Sequence, residues 1–170
     1  MAGTQELPQR ALPLRMDPIS PPTQPEREGD RFHLTITVPG APRGKRAGHV
    51  GVIGGKGMIF TDSKTRSELG VIRHMAAEAM AGRPPYDGAV ILRMCAYRSL
   101  TAGMSKKTKV AALAGKIFPT KKPDADNHLK MVDALNKIVW VDDAQIVTAL
   151  VHKRYSENPR LVIEIKSFVG

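Results

Sequence analysis

The sequence predicts an α+β fold, a single domain in which a mixed or antiparallel sheet packs with a few helices. Three observations carry that expectation. Apolar residues alternate with polar ones in short runs, as in half-buried strands. Elsewhere they recur at helical spacing. The two kinds of segment follow one another without the strict strand–helix–strand order of parallel folds.

The elements fall in order along the chain. Phe32, Leu34, Ile36 and Val38 alternate with polar partners and predict a strand. PGAPRGKR (39–46) ends it, and a glycine-rich hairpin follows over 48–60. Thr65 and Glu68 have the spacing of a capping box, and Leu69, Ile72, Ala76 and Ala79 share one helical face. Gly82 and the prolines beyond it stop that helix. Residues 89–97 predict a buried strand, 105–115 a short basic helix and 126–137 a further helix. Val139 and Trp140 predict a short strand and core positions. IVTALVHK (146–153) and LVIEI (161–165) predict two strands paired with each other through SENP (156–159).

Residues 1–29 stand apart from the domain at 30–170. Pro8, Pro13, Pro18, Pro21, Pro22 and Pro25 interrupt any helix or ladder there. The segment reads as a flexible proline-rich tail.

The chain has 170 residues, with 26 Lys and Arg against 16 Asp and Glu, a net charge of +10. Such a surface attracts polyanions, of which nucleic acid is the commonest. The lone cysteine, Cys95, cannot form an internal disulfide and reads as a small core residue. No window approaches the roughly 20 apolar residues that span a bilayer, and the N-terminus lacks the apolar stretch of a secretory signal. A cytoplasmic protein with no membrane partner is expected.

Within this basic chain, KPDADNHLK (122–130) sets two acids one residue apart behind a proline. Pro123 favours an extended Lys122, and Asp126 suits a helix N-cap. Ahead of the helix, Asp124 and Asp126 can share a side, and Lys130 lies one turn beyond Asp126. A second pair, Asp142 and Asp143, follows Trp140 and could fold back beside the first. Mg²⁺ takes a few carboxylate oxygens and leaves positions for water and phosphate, so the four acids can be its ligands. Lys130 would stabilise charge on the phosphate or the leaving oxygen. The same acids have a purely structural use: Asp126 and Asp124 favour a helix start, and Asp142 and Asp143 make a turn. Both readings stand open on spacing alone.

Other chemistries are excluded more firmly. An EF-hand loop from Asp124 would need Gly at 129 and Glu at 135, and both are Leu. The glycine-rich stretch has Val50 and Gly57 where a P-loop needs Gly and Ser or Thr. The five histidines show no zinc spacing, and His128 reads as an exposed helix residue. Lys106, Lys107, Lys109, Lys116, Lys121 and Lys122 lead into the acidic motif and would contact phosphates. Lys45, Arg46, Lys64 and Arg66 are weaker candidates of that kind, and Lys153 and Arg154 read as the solvated end of a strand.

KPDADNHLK, DALN (133–136), VW and DDAQIV (142–147) together resemble the signature of RusA-type Holliday junction resolvases. VPGAPRGKR and IFTDSKTR (59–66) are similar more loosely, and the likeness runs from about residue 32 to 166. The resemblance implies a homodimeric endodeoxyribonuclease that cuts four-way DNA junctions symmetrically, in recombination and repair, with Mg²⁺ or Mn²⁺. It places the catalytic acids at Asp124, Asp126 and Asp143 and the essential lysine at Lys130. Asp142 matches the other acid of its pair, and Asn127 matches an Asn that orients a carboxylate or water. Two alternatives are a junction-binding protein that does not cut and a nuclease for other branched DNA. One spacing departs from the family. Three residues usually separate the lysine from the Asp of DAL, whereas here only Met131 and Val132 do. A missing residue turns the rest of an α-helix by about 100°, so a bulge or a shifted helix end is expected.

Overall fold

The computed structural model describes residues 32–45 and 48–168, and the tail assigned to 1–29 lies outside them. Its centre is a four-stranded sheet. β1 (His33–Pro39) buries Leu34, Ile36 and Val38 and exposes the residues between, as the alternation predicts. It pairs antiparallel with β6 (Arg160–Ser167). β6 pairs antiparallel with β4 (Val90–Arg98), and β4 pairs parallel with β5 (Ile146–Tyr155). The order is β1-β6-β4-β5, so the sheet is mixed and the fold is α+β.

The expected pairing of the last two strands does not occur, because β4 lies between them. The reason is burial. Leu161, Ile163 and Ile165 on β6 are sequestered and need a central place, whereas Val147, Thr148, Ala149 and Leu150 on β5 are exposed and suit an edge. Residues 156–159 therefore cross two strand spacings, about 9.6 Å, over the end of β4. The Ser156 N–H donates to the Arg98 carbonyl there (2.8 Å). A short loop usually joins neighbouring strands, but that is only a tendency.

β2 (His49–Ile53) and β3 (Lys56–Phe60) form a separate two-stranded ribbon, the expected hairpin. Helix α1 (Ser63–Met80) starts earlier than predicted. Asp62 is its N-cap, accepting from the Thr65 N–H (3.3 Å), while Thr65 is buried inside the first turn. Ile72, Ala76 and Met80 face the core, with Leu69 and Ala79 half-buried beside them. Ala81 takes a left-handed conformation, and the helix stops. Helix α2 (Lys106–Leu113) has Ser105 as its N-cap.

The predicted 126–137 helix is two elements. α3 (Ala125–Leu129) gives way at Lys130 to a 3₁₀ helix over Lys130–Leu135. A 3₁₀ helix is wound more tightly, with about three residues per turn. The change falls where the sequence is one residue short of the family spacing, and it turns Met131, Val132, Ala134 and Leu135 into the core together. No strand forms at 139–140. Trp140 makes only single bridges to Tyr86 and Asn136. It is nonetheless fully buried, and its indole N–H donates to the Asn136 side-chain oxygen (2.7 Å).

Trp140 thus fixes the path from the acidic motif back to the sheet. Trp140→Ala should lower the unfolding free energy by about 3–5 kcal/mol, from lost burial and the cavity left behind. Urea unfolding of wild type and variant checks this, and a loss below about 1 kcal/mol would mean the site collapses or is not packed as described.

Candidate active site

The acidic motif is held by two cations that come from the sheet. Arg98, at the end of β4, donates through Nη1 to the carbonyls of Lys121 (2.9 Å) and Lys122 (2.6 Å). Lys153, near the end of β5, donates through Nζ to those of Lys121 (3.1 Å) and Pro123 (3.0 Å). The Lys122–Pro123 peptide is cis. Lys153 is therefore not merely a solvated strand end. Three carbonyls with no ladder partner are satisfied by charged donors, which form stronger bonds than neutral ones.

A second strap comes from the loop after β1. The Lys45 N–H donates to the Asn127 carbonyl (2.8 Å), and the Lys45 ammonium pairs with Asp133. Gly44 lies so close to α3 that a Cβ there would sit 2.8 Å from that of Asn127. Only glycine fits without displacing the motif. Sequence reading missed Arg98, Asp133 and Gly44, because each acts through a contact far along the chain.

The acids themselves are exposed. Asp124, not Asp126, occupies the N-cap of α3, and its carboxylate makes no capping bond. Asp126 accepts from Lys130 Nζ (2.8 Å), which also donates to Asn127 Oδ1 (3.3 Å). That ammonium holds the Asp126 carboxyl below its usual range. His128 departs from expectation, being fully buried with neither ring nitrogen in a well-formed hydrogen bond. Burial lowers its pKa, the Arg43 backbone opposes this, and the charges of Lys153 and Arg98 add to it.

Asp142 and Asp143 do not fold back beside this pair. Asp142 is the N-cap of a short 3₁₀ turn (Asp143–Gln145) in a capping box: it accepts from the Ala144 N–H (2.9 Å), and Gln145 Oε1 accepts from its own N–H (2.8 Å). The Ala144 N–H is the main reason its carboxyl lies low. Gln145 also donates to the carbonyls of Tyr86 (3.0 Å) and Gly88 (2.7 Å), tying the turn to the start of β4. Asp143 stands exposed at the start of β5, while Lys153, which grips the 121–123 loop, lies near its end. From Ile146 to Lys153 the strand runs about 23 Å. Among the described residues, no three His, Cys, Asp or Glu side chains are gathered closely enough to hold a metal.

What one chain does assemble is a carboxylate pair beside a basic groove. The groove, ≈ 650 Å³, is walled by Arg43, Lys45, Lys64, Arg98 and Lys122, with Asp62 and Asp124 among them. Lys106, Lys107 and Lys121 are exposed, as expected, while Arg46 lies outside the described residues. The oxygen donors Asp124 and Asp126 suit Mg²⁺ or Mn²⁺, which is commonly held by one or two carboxylates together with substrate phosphate. The pair alone does not make a closed cage.

A cation-walled groove with the exposed Asp124 in its lining, on a chain of net charge +10, is the arrangement of a protein that handles a polyanion. A family model described as Endodeoxyribonuclease RusA matches residues 39–166, and the chain belongs to that family of nucleases. It is also 39% identical over 99 residues to the uncharacterized protein YqaN of Bacillus subtilis (strain 168), covering 55% of this chain and 70% of that one. No helix among the described residues is long and apolar enough to cross a membrane.

The grip of Arg98 and Lys153 has a direct readout. In Arg98→Met or Lys153→Met the motif loosens, so amide hydrogen exchange at Lys45 and His128, whose N–H groups bond to the carbonyls of Asn127 and Asp124, should accelerate about tenfold or more, the worth of a charged hydrogen bond. Unchanged exchange would show that water serves the carbonyls of residues 121–123 equally well.

Proposed function

We propose that the protein is a metal-dependent endodeoxyribonuclease that resolves four-way DNA junctions by paired nicks, in recombination and repair, working as a homodimer whose two sites are each shared between subunits. Family membership supports the junction substrate. The observation that carries the shared site is the separation of the acids along β5.

β5 is an edge strand, and its exposed stretch is Val147, Thr148, Ala149 and Leu150. Val147 is 54% exposed and Leu150 43%. An unpaired apolar edge of this kind invites a further strand. Two copies paired antiparallel about a two-fold axis at Ala149 match Ala149 with itself, Thr148 with Leu150 and Val147 with Val151. The same register carries the start of the partner's β5 alongside Val151 and the residues after it. The partner's Asp143 then approaches the end of β5, where Lys153 holds the loop of Asp124. A symmetric pairing of this one strand thus supports bringing together acids that a single chain keeps apart.

Each group has a role in phosphodiester hydrolysis. Asp124 and Asp126, with Asp143 supplied across the axis, hold a divalent cation. When bound, that ion polarises the phosphoryl oxygens and eases deprotonation of the attacking water. Lys130 stabilises charge on the phosphate or the leaving oxygen, having been poised by Asp126 and Asn127. Asp142 shapes the turn that presents Asp143. Lys64, Lys106, Lys107, Lys121 and Lys122 contact the backbone, so affinity falls steeply with salt. The ammonium of Lys45 instead serves Asp133 and contributes mainly to holding the loop.

Wild-type protein should nick opposing strands of a synthetic four-way junction with Mg²⁺ and leave a matched duplex intact. Asp126→Asn and Asp143→Asn should each abolish nicking. Co-expressed, the two variants should recover single nicks at about a quarter of the wild-type number of sites, since half the dimers are mixed and each has one intact site. No recovery would mean that the acids act within one chain. Tight junction binding without nicks in Mg²⁺ or Mn²⁺ would mark a binding protein that does not cut.

A further inference from the structure

The β2–β3 ribbon belongs to no other part of the fold. It is a sheet of its own, and its strands contact chiefly each other. Yet both its feet stand in the basic groove. Arg43, Gly44 and Lys45 precede β2, Asp62 and Lys64 follow β3, and all five line the groove that holds Asp124. Each strand has five residues, so the tip at Gly54–Gly55 lies about 17 Å from those feet. Both tip glycines have positive φ, which gives a tight turn.

The side chains on this ribbon are unusual for a solvated hairpin. Val52 is 72% exposed and Met58 48%. In the register, Val52 faces Gly57 and Met58 faces Gly51. Directly opposed residues share a face, and neighbouring positions alternate, so Val52 and Met58 project from opposite faces of the ribbon. Each stands over a glycine with no side chain to cover it. The only charged residue between His49 and Phe60 is Lys56, next to the tip, and the stretch has no acid.

A ribbon that reads base edges in a groove needs hydrogen-bonding side chains. Among its described side chains this one offers two exposed apolar groups, Val52 and Met58, and a single lysine, Lys56. Apolar groups of that kind act on DNA as wedges between base steps, paying for unstacking with contacts elsewhere. Branched DNA has such steps already weakened where its arms meet.

On the reading of the groove as a nuclease site, we infer that the β2–β3 ribbon is a wedge that enters the branch point of DNA held in the groove, with Val52 and Met58 against unstacked bases and Lys56 near a phosphate. It supplies preference for branched over linear DNA, while the groove supplies affinity for the backbone.

The test uses the full chain without metal, so that nothing is cut. A four-way junction carrying a fluorescent purine analogue beside the branch point, and a matched duplex, are titrated with wild type, V52S/M58S and V52L/M58L. Wild type should brighten the analogue on binding as it unstacks. V52S/M58S should keep duplex affinity, lose most of the brightening and lose about tenfold in preference for the junction, the scale of stacking lost at a base step. V52L/M58L should behave as wild type, which separates a wedge from a folding defect. If V52S/M58S matches wild type in brightening and preference, the wedge is refuted. Nicking of the same junction by wild type with Mg²⁺ is followed in parallel. Wild-type nicking beside an unchanged V52S/M58S refutes the wedge alone, and a wild type that neither prefers nor nicks junctions refutes both readings.

Discussion

The acidic motif depends on a loop that has no secondary structure to support it. Residues 121–123 lie ahead of α3 and outside any ladder, and Lys122 and Pro123 line the basic groove. Arg98 and Lys153 take up all three of their carbonyls. Both project from adjacent strands near the same end of the sheet, since Tyr97 pairs with Arg154 and Arg98 with Tyr155. The rigid part of the fold thereby sets the position of an exposed one. The arrangement also spends positive charge on protein carbonyls in a place where phosphate would compete for it, so the two cations serve geometry before they serve binding.

The same economy explains the loop after β1. Lys45 ends in an ion pair with Asp133 while its backbone N–H holds Asn127, and Gly44 lets the chain pass close enough for both. The motif is thus clasped from the sheet on one side and from the β1 loop on the other. The tightening from α to 3₁₀ at Lys130 lets a segment one residue short still turn Met131 and Leu135 into the core. A rotation that would have misdirected an α-helix is absorbed where the helix changes its winding.

Much of this was legible in the sequence, and the parts that were not share a cause. Local signals sufficed for β1, for the hairpin, for α2 with Ser105 at its start, and for Trp140 as a core residue. KPDADNHLK marked the carboxylate pair and its lysine, and the charge balance marked the groove. Strand order was not legible, because the short SENP loop suggested neighbours and only the burial of Ile163 against the exposure of Leu150 reveals which strand is central. His128 was misjudged because a five-residue helix gives too little periodicity to say which face is buried. Arg98 went unmarked, since its partners lie more than twenty residues away. Nothing in the local pattern of Asp142–Asp143 told whether the pair returns to the motif or starts a strand that leads away from it.

That last uncertainty has a physical resolution in the edge strand. A chain whose acids sat together in one subunit would bind metal as a monomer and could nick any backbone that entered its groove. With Asp143 ahead of β5 and the loop of Asp124 held near its far end, that risk is removed if the missing carboxylate comes from a second copy, for then a complete site exists only where two-fold symmetry exists. A four-way junction has approximate two-fold symmetry, and the antiparallel register about Ala149 would generate both sites at once, related by the same axis. On this view the exposed apolar stretch of β5 is not a flaw in an otherwise well-covered fold. In the proposed dimer it would be the element through which assembly, metal binding and the pairing of the two nicks become a single condition.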